Sequence, residues 1–368
     1  MRAWGAALLA LAVGLALAAP AGASTRRALQ RSAFAVPTPT VPFRDTVIDH
    51  PTRSLARATA SASTGQYPVN DGKGRVVTVQ VSTACQADVL NCNAANPAQI
   101  ASFLGTLAHG DEISQLTVLL VDPPGEIATE CGSASAQACY FPGLNQMVIN
   151  GSDAAAPDGA SREYVIAHEY GHHLANHRNN APFDNPAVQW GPKNWASWAG
   201  VCVGVKQNRY FPGDEGDHYF QNPGEAFAEA FAHNRFPADP VPWEWPDFPA
   251  PDANAYAAIQ RDALDPWNGA EPDNRKGHFK RKRKRPRQKT KAFSTPLDGD
   301  LKVTLKGPDR ADLGLRLLGP NGNEIDHSDG VGSSESVSYR ICGERSVTAV
   351  VRKHGRKLTK FFVTGFIP

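Results

Sequence analysis

The chain has 368 residues, which is more than one ordinary domain needs and predicts two or three domains. Hydrophobic residues make up 41% and charged residues 20%, so the composition excludes a mostly disordered chain. The net charge of +2 hides an uneven distribution, because residues 275–291 contain eleven Lys and Arg and no acid, which leaves the remainder acidic. The net charge of the whole chain therefore gives no reason to expect a nucleic-acid-binding fold.

The N-terminus predicts export. Arg2 precedes an apolar run at residues 6–19, and Ala21-Gly22-Ala23 is a signal-peptidase cleavage pattern, so residues 1–23 are interpreted as a signal peptide of a secreted protein. The apolar run is short for a membrane span, and no later stretch has about 18 consecutive apolar residues, so we expect no transmembrane segment. Residues 24–70 are rich in Ala, Ser, Thr and Pro and are predicted to be a linker or pro-segment.

Six cysteines agree with an exported chain, in which disulfides persist. Short separations favour the pairs Cys85–Cys92 and Cys131–Cys139. Cys202 and Cys342 remain, and whether they pair and tie two domains together is open at this point. No C-x-x-C occurs, which argues against a cysteine metal site.

Residues 71–270 show strands followed by helices and are predicted to form one α+β domain. The expected strands are 76–81, 116–121 and 146–149, and the expected helices are 96–108, 161–177 and 223–232.

The strongest chemical signal is the H-E-x-x-H motif formed by His168, Glu169 and His172 in the second of these helices. Residues four apart lie on one helical face, so the two imidazoles can bind one metal ion. Glu169 lies beside them and can act as a general base. His173 and His177 are expected to form hydrogen bonds or face solvent instead.

A catalytic zinc usually has three protein ligands and one open position. Ala175 and Arg178 stand where the metzincin pattern requires Gly and His, so that pattern does not supply the third ligand. Glu225 and Glu229, four residues apart in the helix that begins at Pro223, are better candidates. Glu225 is predicted to be the third ligand, and Glu229 is predicted to accept a hydrogen bond from a ligating histidine. Two solvated glutamates on an amphipathic helix are the alternative.

These two motifs, in the setting NPGEAFAEAFA, resemble the gluzincin group of zinc metallopeptidases, and the second helix is similar to that of anthrax lethal factor-like peptidases. The resemblance implies a zincin-like catalytic domain with His168, His172 and Glu225 as zinc ligands and Glu169 as the base. In that group a tyrosine seven residues before the ligand glutamate stabilises the oxyanion. Here that position is His218, and Tyr219 follows it, so Tyr219 is the first choice and His218 the second.

From residue 293 the pattern changes to alternating apolar residues between turns, such as Leu301, Val303 and Leu305, which predicts a small all-β sandwich at 293–368. Asp298-Gly299-Asp300, the segment 313–322 and Cys342-Gly343 resemble the bacterial pre-peptidase C-terminal domain. Residues 271–292 are predicted to be a basic linker. Within it, residues 280–291 have three interpretations: a solvated interdomain linker, an electrostatic attachment to an anionic polymer such as a cell-surface polyanion or nucleic acid, or a cleavage site that releases the C-terminal domain.

Together these features predict a secreted endopeptidase with one Zn²⁺ per chain, which hydrolyses a protein or peptide substrate with Glu169 as general base. A non-catalytic extracellular zinc-containing binding protein or adhesin is the alternative, and it would need a fourth protein ligand. A metal-dependent amidase of cell-wall peptides would share the chemistry and differ only in its substrate.

Overall fold

The computed structural model describes residues 61–87, 92, 96–122, 125–133, 136–152, 159–183, 186–237, 241–280, 287–355 and 359–368. The predicted signal peptide at 1–23 and residues 24–60 of the predicted linker or pro-segment lie outside these ranges. The described residues contain helices and several sheets, with a β-sandwich at the C-terminal end.

A five-stranded sheet with the order β1-β2-β3-β5-β4 forms the base of the N-terminal part of the described chain. Its strands are β1 Ser61–Pro68, β2 Val76–Ser82, β3 Thr117–Val121, β4 Cys139–Phe141 and β5 Gln146–Asn150. The three central strands are parallel, and β1 and β4 are antiparallel edge strands. Valine and leucine side chains of the central strands are buried, as expected for a sheet covered by helices. Residues 61–68, at the end of the predicted linker or pro-segment, form β1 and pair with β2 along its whole length.

Nine α-helices, besides three short 3-10 helices, occur in the part of the chain that the structure describes. They are α1 Thr83–Ala87, α2 Pro97–Leu104, α3 Gly125–Glu130, α4 Arg162–Asn176, α5 Ala187–Trp190, α6 Lys193–Ala199, α7 Val201–Lys206, α8 Pro223–Arg235 and α9 Ala253–Leu264. The helix expected at 96–108 ends earlier, at Leu104. There Gly105 lies directly against the carbonyl of Val69. The amides of Thr106 and Leu107 then donate to carbonyls three residues earlier, at Phe103 and Leu104, instead of four.

Two helices, α4 and α8, pack against each other. Helix α4 begins where the Ser161 hydroxyl accepts a hydrogen bond from Tyr164 N, and α8 begins where the Asn222 side chain accepts one from Gly224 N, with Pro223 in its first turn. Both contact faces are buried. The two predicted helices that carry the chemical motifs are therefore packed side by side.

The C-terminal part is a sandwich of two antiparallel sheets, which have the orders β10-β9-β12-β7 and β11-β8-β13-β6 within the described residues. Its strands are β6 Glu271–Phe279, β7 Arg287–Ser294, β8 Gly299–Lys306, β9 Leu313–Leu318, β10 Glu324–Ser328, β11 Ser334–Ile341, β12 Ser346–Lys353 and β13 Thr359–Ile367. Alternate Leu, Val and Phe side chains from both sheets form a separate core.

The prediction of a basic linker at 271–292 is wrong for most of that segment. Strand β6 pairs with β13, and β7 pairs with β12, so the sandwich begins at Glu271 instead of residue 293. Both are edge strands, where lysine and arginine are tolerated because one side of the strand faces water. Phe279 and Phe293 enter the core at their ends. Residues 281–286 of the basic run lie outside the described residues.

Three disulfides use all six cysteines: Cys85–Cys92, Cys131–Cys139 and Cys202–Cys342. The first two confirm the pairs favoured by short separation. The third settles the open question, since it joins α7 to the end of β11. Among the residues that the structure covers, no helix combines the length and apolar character that crossing a bilayer requires.

Candidate metal centre

The site lies where α4 and α8 face each other. Along α4, Tyr164, His168 and His172 follow at intervals of four residues, and along α8, Glu225, Glu229 and His233 do the same. Tyr164 contacts Glu229, whereas His172 contacts Glu225, so the two rows run in opposite directions. All these side chains except that of His233 are almost fully buried.

Three ligand-type atoms meet at one point. His168 Nε2 and His172 Nε2 are 3.2 Å apart, and Glu225 Oε2 lies 3.5 Å and 3.4 Å from them. Bonds of 2.0–2.1 Å to a tetrahedral zinc place two ligand atoms about 3.3–3.4 Å apart, so the three observed distances fit one such ion. Glu225 Oε1 is buried and accepts no hydrogen bond from the described residues, as expected of a carboxylate that a cation neutralises. This group of His168, His172 and Glu225 could hold a metal ion.

Glu229 determines which nitrogen of His168 faces that point. Burial favours the neutral form of Glu229, but hydrogen bonds with His168 and His233 and one from Tyr164 outweigh burial and lower its pKa. Its Oε2 lies 2.9 Å from His168 Nδ1, and its Oε1 lies 2.6 Å from the Tyr164 hydroxyl. An ionised carboxylate requires a proton on Nδ1, which leaves the Nε2 lone pair directed at His172 and Glu225.

Glu169 is buried on α4, one residue after His168 and three before His172. Burial, together with the charge of Glu169, raises the pKa of Tyr140, whose ring lies parallel to that of His172 with 6.5 Å between centroids. The carboxylate of Glu169 therefore belongs to the same buried region as the two histidines.

The structure separates the two oxyanion candidates. The Tyr219 hydroxyl donates a hydrogen bond to Glu225 Oε2 at 3.2 Å and is thus placed at the site. His218 Nδ1 instead lies 2.7 Å from Asp214 Oδ2, its ring stacks on Phe211, and 43% of its side chain is exposed. The structure brings Tyr219 into the group and leaves His218 outside it.

His173 has a structural role on the opposite side of α4. Its Nε2 lies 2.9 Å from the Glu112 carbonyl oxygen and its Nδ1 lies 3.0 Å from the Tyr140 hydroxyl. Burial lowers the pKa of His173 to about 3, so the ring is neutral. This agrees with its predicted hydrogen-bonding role, and His177 likewise lies 3.0 Å from the Asn145 side-chain oxygen.

Sequence reasoning missed two partners of Glu229, namely Tyr164 and His233. Both could have been predicted from the sequence, because each lies four residues from a predicted site residue on the same helical face: Tyr164 before His168, and His233 after Glu229.

No protein-family profile and no curated protein matches this chain. Among solved structures it is similar to the pre-peptidase C-terminal domain of collagenase from Bacillus anthracis, with 8% identity over 25% of this chain and 87% of that one and a TM-score of 0.21. The mitogen YPM from Yersinia pseudotuberculosis matches with 14% identity over 27% of this chain and 87% of that one, at 0.22. Aminopeptidase A from Legionella pneumophila, in complex with aspartic acid, matches with 10% identity over 77% of this chain and 36% of that one, at 0.22. These TM-scores are too low to support a shared fold, so function is considered from the site residues alone.

Proposed function

We propose that this protein is a secreted zinc-dependent endopeptidase of gluzincin type, with a zincin-like catalytic part followed by an accessory sandwich. The observation that carries the proposal is the triangle of His168 Nε2, His172 Nε2 and Glu225 Oε2, whose edges of 3.2–3.5 Å suit a tetrahedral zinc. Imidazole and carboxylate donors are also the ligand types that zinc prefers in hydrolytic sites. When bound, zinc supplies Lewis acidity that polarises a peptide carbonyl and makes a water acidic near neutral pH.

The residues around the triangle suit peptide hydrolysis. Glu169 accepts a proton from the attacking water and later donates a proton to the departing amine nitrogen, so that one water is consumed for each peptide bond cleaved. The Tyr219 hydroxyl donates a hydrogen bond to the oxygen on which negative charge develops. Glu229 acts through His168, which it holds in the tautomer that a metal ion needs.

The non-catalytic alternative would require a closed zinc site with four protein ligands. Among the described residues, no fourth His, Cys, Asp or Glu joins the group of three, and every cysteine is in a disulfide. The ligand set therefore favours a catalytic site over a structural one.

The test compares hydrolysis of casein by the exported chain with hydrolysis by Glu169→Gln, while zinc content is measured in both. Glutamine keeps the shape of the side chain but cannot act as a base, so we expect a loss of at least about 100-fold in kcat with zinc still bound. Glu163→Gln is the matched control, because Glu163 lies in the first turn of the same helix, is 42% exposed and has no role in the proposal.

Equal hydrolysis by the parent and Glu169→Gln would show that Glu169 is not the base. If neither hydrolyses casein or a library of cell-wall peptides while both hold one zinc, the binding-protein alternative is favoured. Cleavage of the cell-wall peptides alone would identify the amidase.

A further inference from the structure

The outward face of the sheet β11-β8-β13-β6 combines exposed aromatic rings with lysines. Phe362 and Phe366 lie on the outer side of the central strand β13 and are 51% and 37% exposed. Four residues separate them, so at about 3.3 Å per residue they are about 13 Å apart along the strand. Both rings therefore present apolar surface to solvent on the same face of the sheet.

Strand register surrounds both rings with positive charge. Phe362 is paired with Lys306 of β8 on one side and with Lys276 of β6 on the other, and Phe366 is paired with Lys302 of β8. The Lys276 ammonium lies 5.9 Å from the centre of the Phe362 ring. Lys360, two residues before Phe362, is exposed on the same face. Cations thus flank each aromatic ring on this face.

Two carboxylates border the face: Asp300 at one corner, and the largely buried Glu335 of β11 at the hollow beside Phe366. Asp300 lies opposite Arg340 in the register of β8 and β11, and the two side chains form an ion pair of 2.9 Å. The other outward side chains of the face are Pro272, Asn274 and His278 of β6, Thr304 of β8, Ser334, Ser336 and Ser338 of β11, and Thr364 of β13. The face therefore has a net positive charge and hydroxyl and amide groups that can form hydrogen bonds.

Each ring borders a hollow. The hollow at Phe362 has a volume of about 720 Å³ and is lined by Phe279, Pro308, Lys306 and Lys360 among others. The hollow at Phe366 has a volume of about 590 Å³ and is lined by Lys302, Lys306, Ser336 and Glu335 among others, and the Glu335 carboxylate accepts a hydrogen bond from the Ser328 hydroxyl. A hollow with an aromatic wall and lysines at its edge fits a flat ring that is attached to an anionic backbone.

We propose that this face binds single-stranded nucleic acid, whose bases stack on Phe362 and Phe366 and whose phosphates contact Lys276, Lys302, Lys306 and Lys360. Surfaces that bind single strands combine these two features, cations for the backbone and aromatic rings for the bases. A duplex would satisfy the lysines but would keep its bases out of reach of the rings. A lipid surface would favour rings that protrude, whereas here each ring borders a hollow. The binding is independent of the proposed peptidase activity.

The test measures fluorescence anisotropy of a labelled 15-nucleotide oligothymidylate with the full chain carrying Glu169→Gln, so that proteolysis cannot interfere. A duplex of equal length and inorganic polyphosphate serve as competitors. We expect the single strand to bind more tightly than either competitor, and the logarithm of its association constant to fall with the logarithm of salt concentration with a slope near −3, as four phosphate contacts predict.

Phe362→Ala should weaken oligothymidylate binding about 5- to 100-fold and leave polyphosphate binding unchanged, because only bases can stack. Leu144→Ala is the matched control, since Leu144 is 55% exposed and lies outside the sandwich. Lys306→Gln should weaken binding of both ligands and reduce the salt slope by about 0.7, whereas Lys73→Gln, which removes one exposed charge from the β1–β2 turn, should change neither.

Equal affinity for oligothymidylate and polyphosphate, unaffected by Phe362→Ala, would reduce the face to a charged surface and overturn the proposal. No binding at 50 mM salt, or preferential binding to phosphatidylglycerol vesicles over oligothymidylate, would overturn it as well.

Discussion

At the scale of single residues, the candidate centre depends on how closely two helices approach. Gly171, between the two predicted histidine ligands, faces Ala228 of α8, which lies between Glu225 and Glu229. A methyl group added to Gly171 would lie 2.8 Å from Ala228 Cα and 3.3 Å from its carbonyl oxygen. Both are backbone atoms that cannot rotate away, so a larger residue must separate the helices.

We expect Gly171→Ala to lower the free energy of unfolding by about 1–3 kcal/mol, the usual cost of overpacking a close contact. The change should also weaken zinc binding, because separating the helices moves Glu225 away from the two histidines. Urea unfolding and competition for zinc with a chelator measure the two effects.

Gly143→Ala is the matched control, since a methyl group there meets no atom within 4 Å. If Gly171→Ala kept full zinc affinity, the position of Glu225 would not depend on this contact.

At the scale of secondary-structure elements, the sequence predicted best where a local signal coincided with burial. Helices α4 and α8 each begin at a capping residue and have functional side chains spaced four residues apart, and the bounds of both were predicted to within a few residues. Strands β1 and β6 were missed because they are edge strands, whose outward side chains can be polar or basic without breaking the pairing. Strand β6 pairs with β13, which lies nearly ninety residues further along the chain, so no local sequence pattern indicates the pairing.

The same distinction holds for the candidate centre. Spacing along one helix identified His168, Glu169 and His172, but the choice between His218 and Tyr219 depended on which of two adjacent residues turns inward. That choice is made by Asp214 and Phe211, which hold His218 outside, and no local pattern predicted this contact.

The N-terminus of helix α6 is capped by a side chain of another helix, α9. Pro192 precedes it and has no side-chain acceptor, and Asp262 of α9 instead accepts hydrogen bonds from Asn194 N at 3.0 Å and Trp195 N at 2.8 Å. Asp262 is 1% exposed. Burial raises its pKa to about 6, although these hydrogen bonds and the charge of Arg178 act in the opposite direction.

This pKa predicts how stability changes with pH. A carboxyl group whose pKa is raised from 3.8 to about 6 on folding binds its proton more tightly in the folded state, so its contribution is complete below pH 4 and is lost as the pH rises through 6. We expect the difference in free energy of unfolding between the parent and Asp262→Asn to change by about 2 kcal/mol between pH 4 and pH 7, with the parent losing more. Urea unfolding at four pH values measures it, and parallel curves for the two proteins would contradict the raised pKa.

At the scale of the whole molecule, the sandwich is held against the helices by polar contacts and one covalent bond. Asp298 N donates to the Ser197 hydroxyl at 2.9 Å, and Arg345 donates to the Ser197 carbonyl at 2.6 Å and pairs with Asp298 at 2.7 Å. The Cys202–Cys342 disulfide lies beside these contacts and joins residues 140 positions apart. The sandwich also has its own hydrophobic core, separate from that of the helices.

Because each part has its own core, the disulfide should determine whether the two parts unfold together. We expect the double substitution Cys202→Ser and Cys342→Ser to divide a single calorimetric transition into two and to lower the stability by about 2–4 kcal/mol, since opening so long a loop returns much entropy to the unfolded chain. Cys131→Ser with Cys139→Ser is the control: that bond closes a short loop within one part, so the change should lower stability while the two parts still unfold together. If removing Cys202–Cys342 left one transition at an unchanged temperature, the contacts of Ser197, Asp298 and Arg345 alone would hold the sandwich in place.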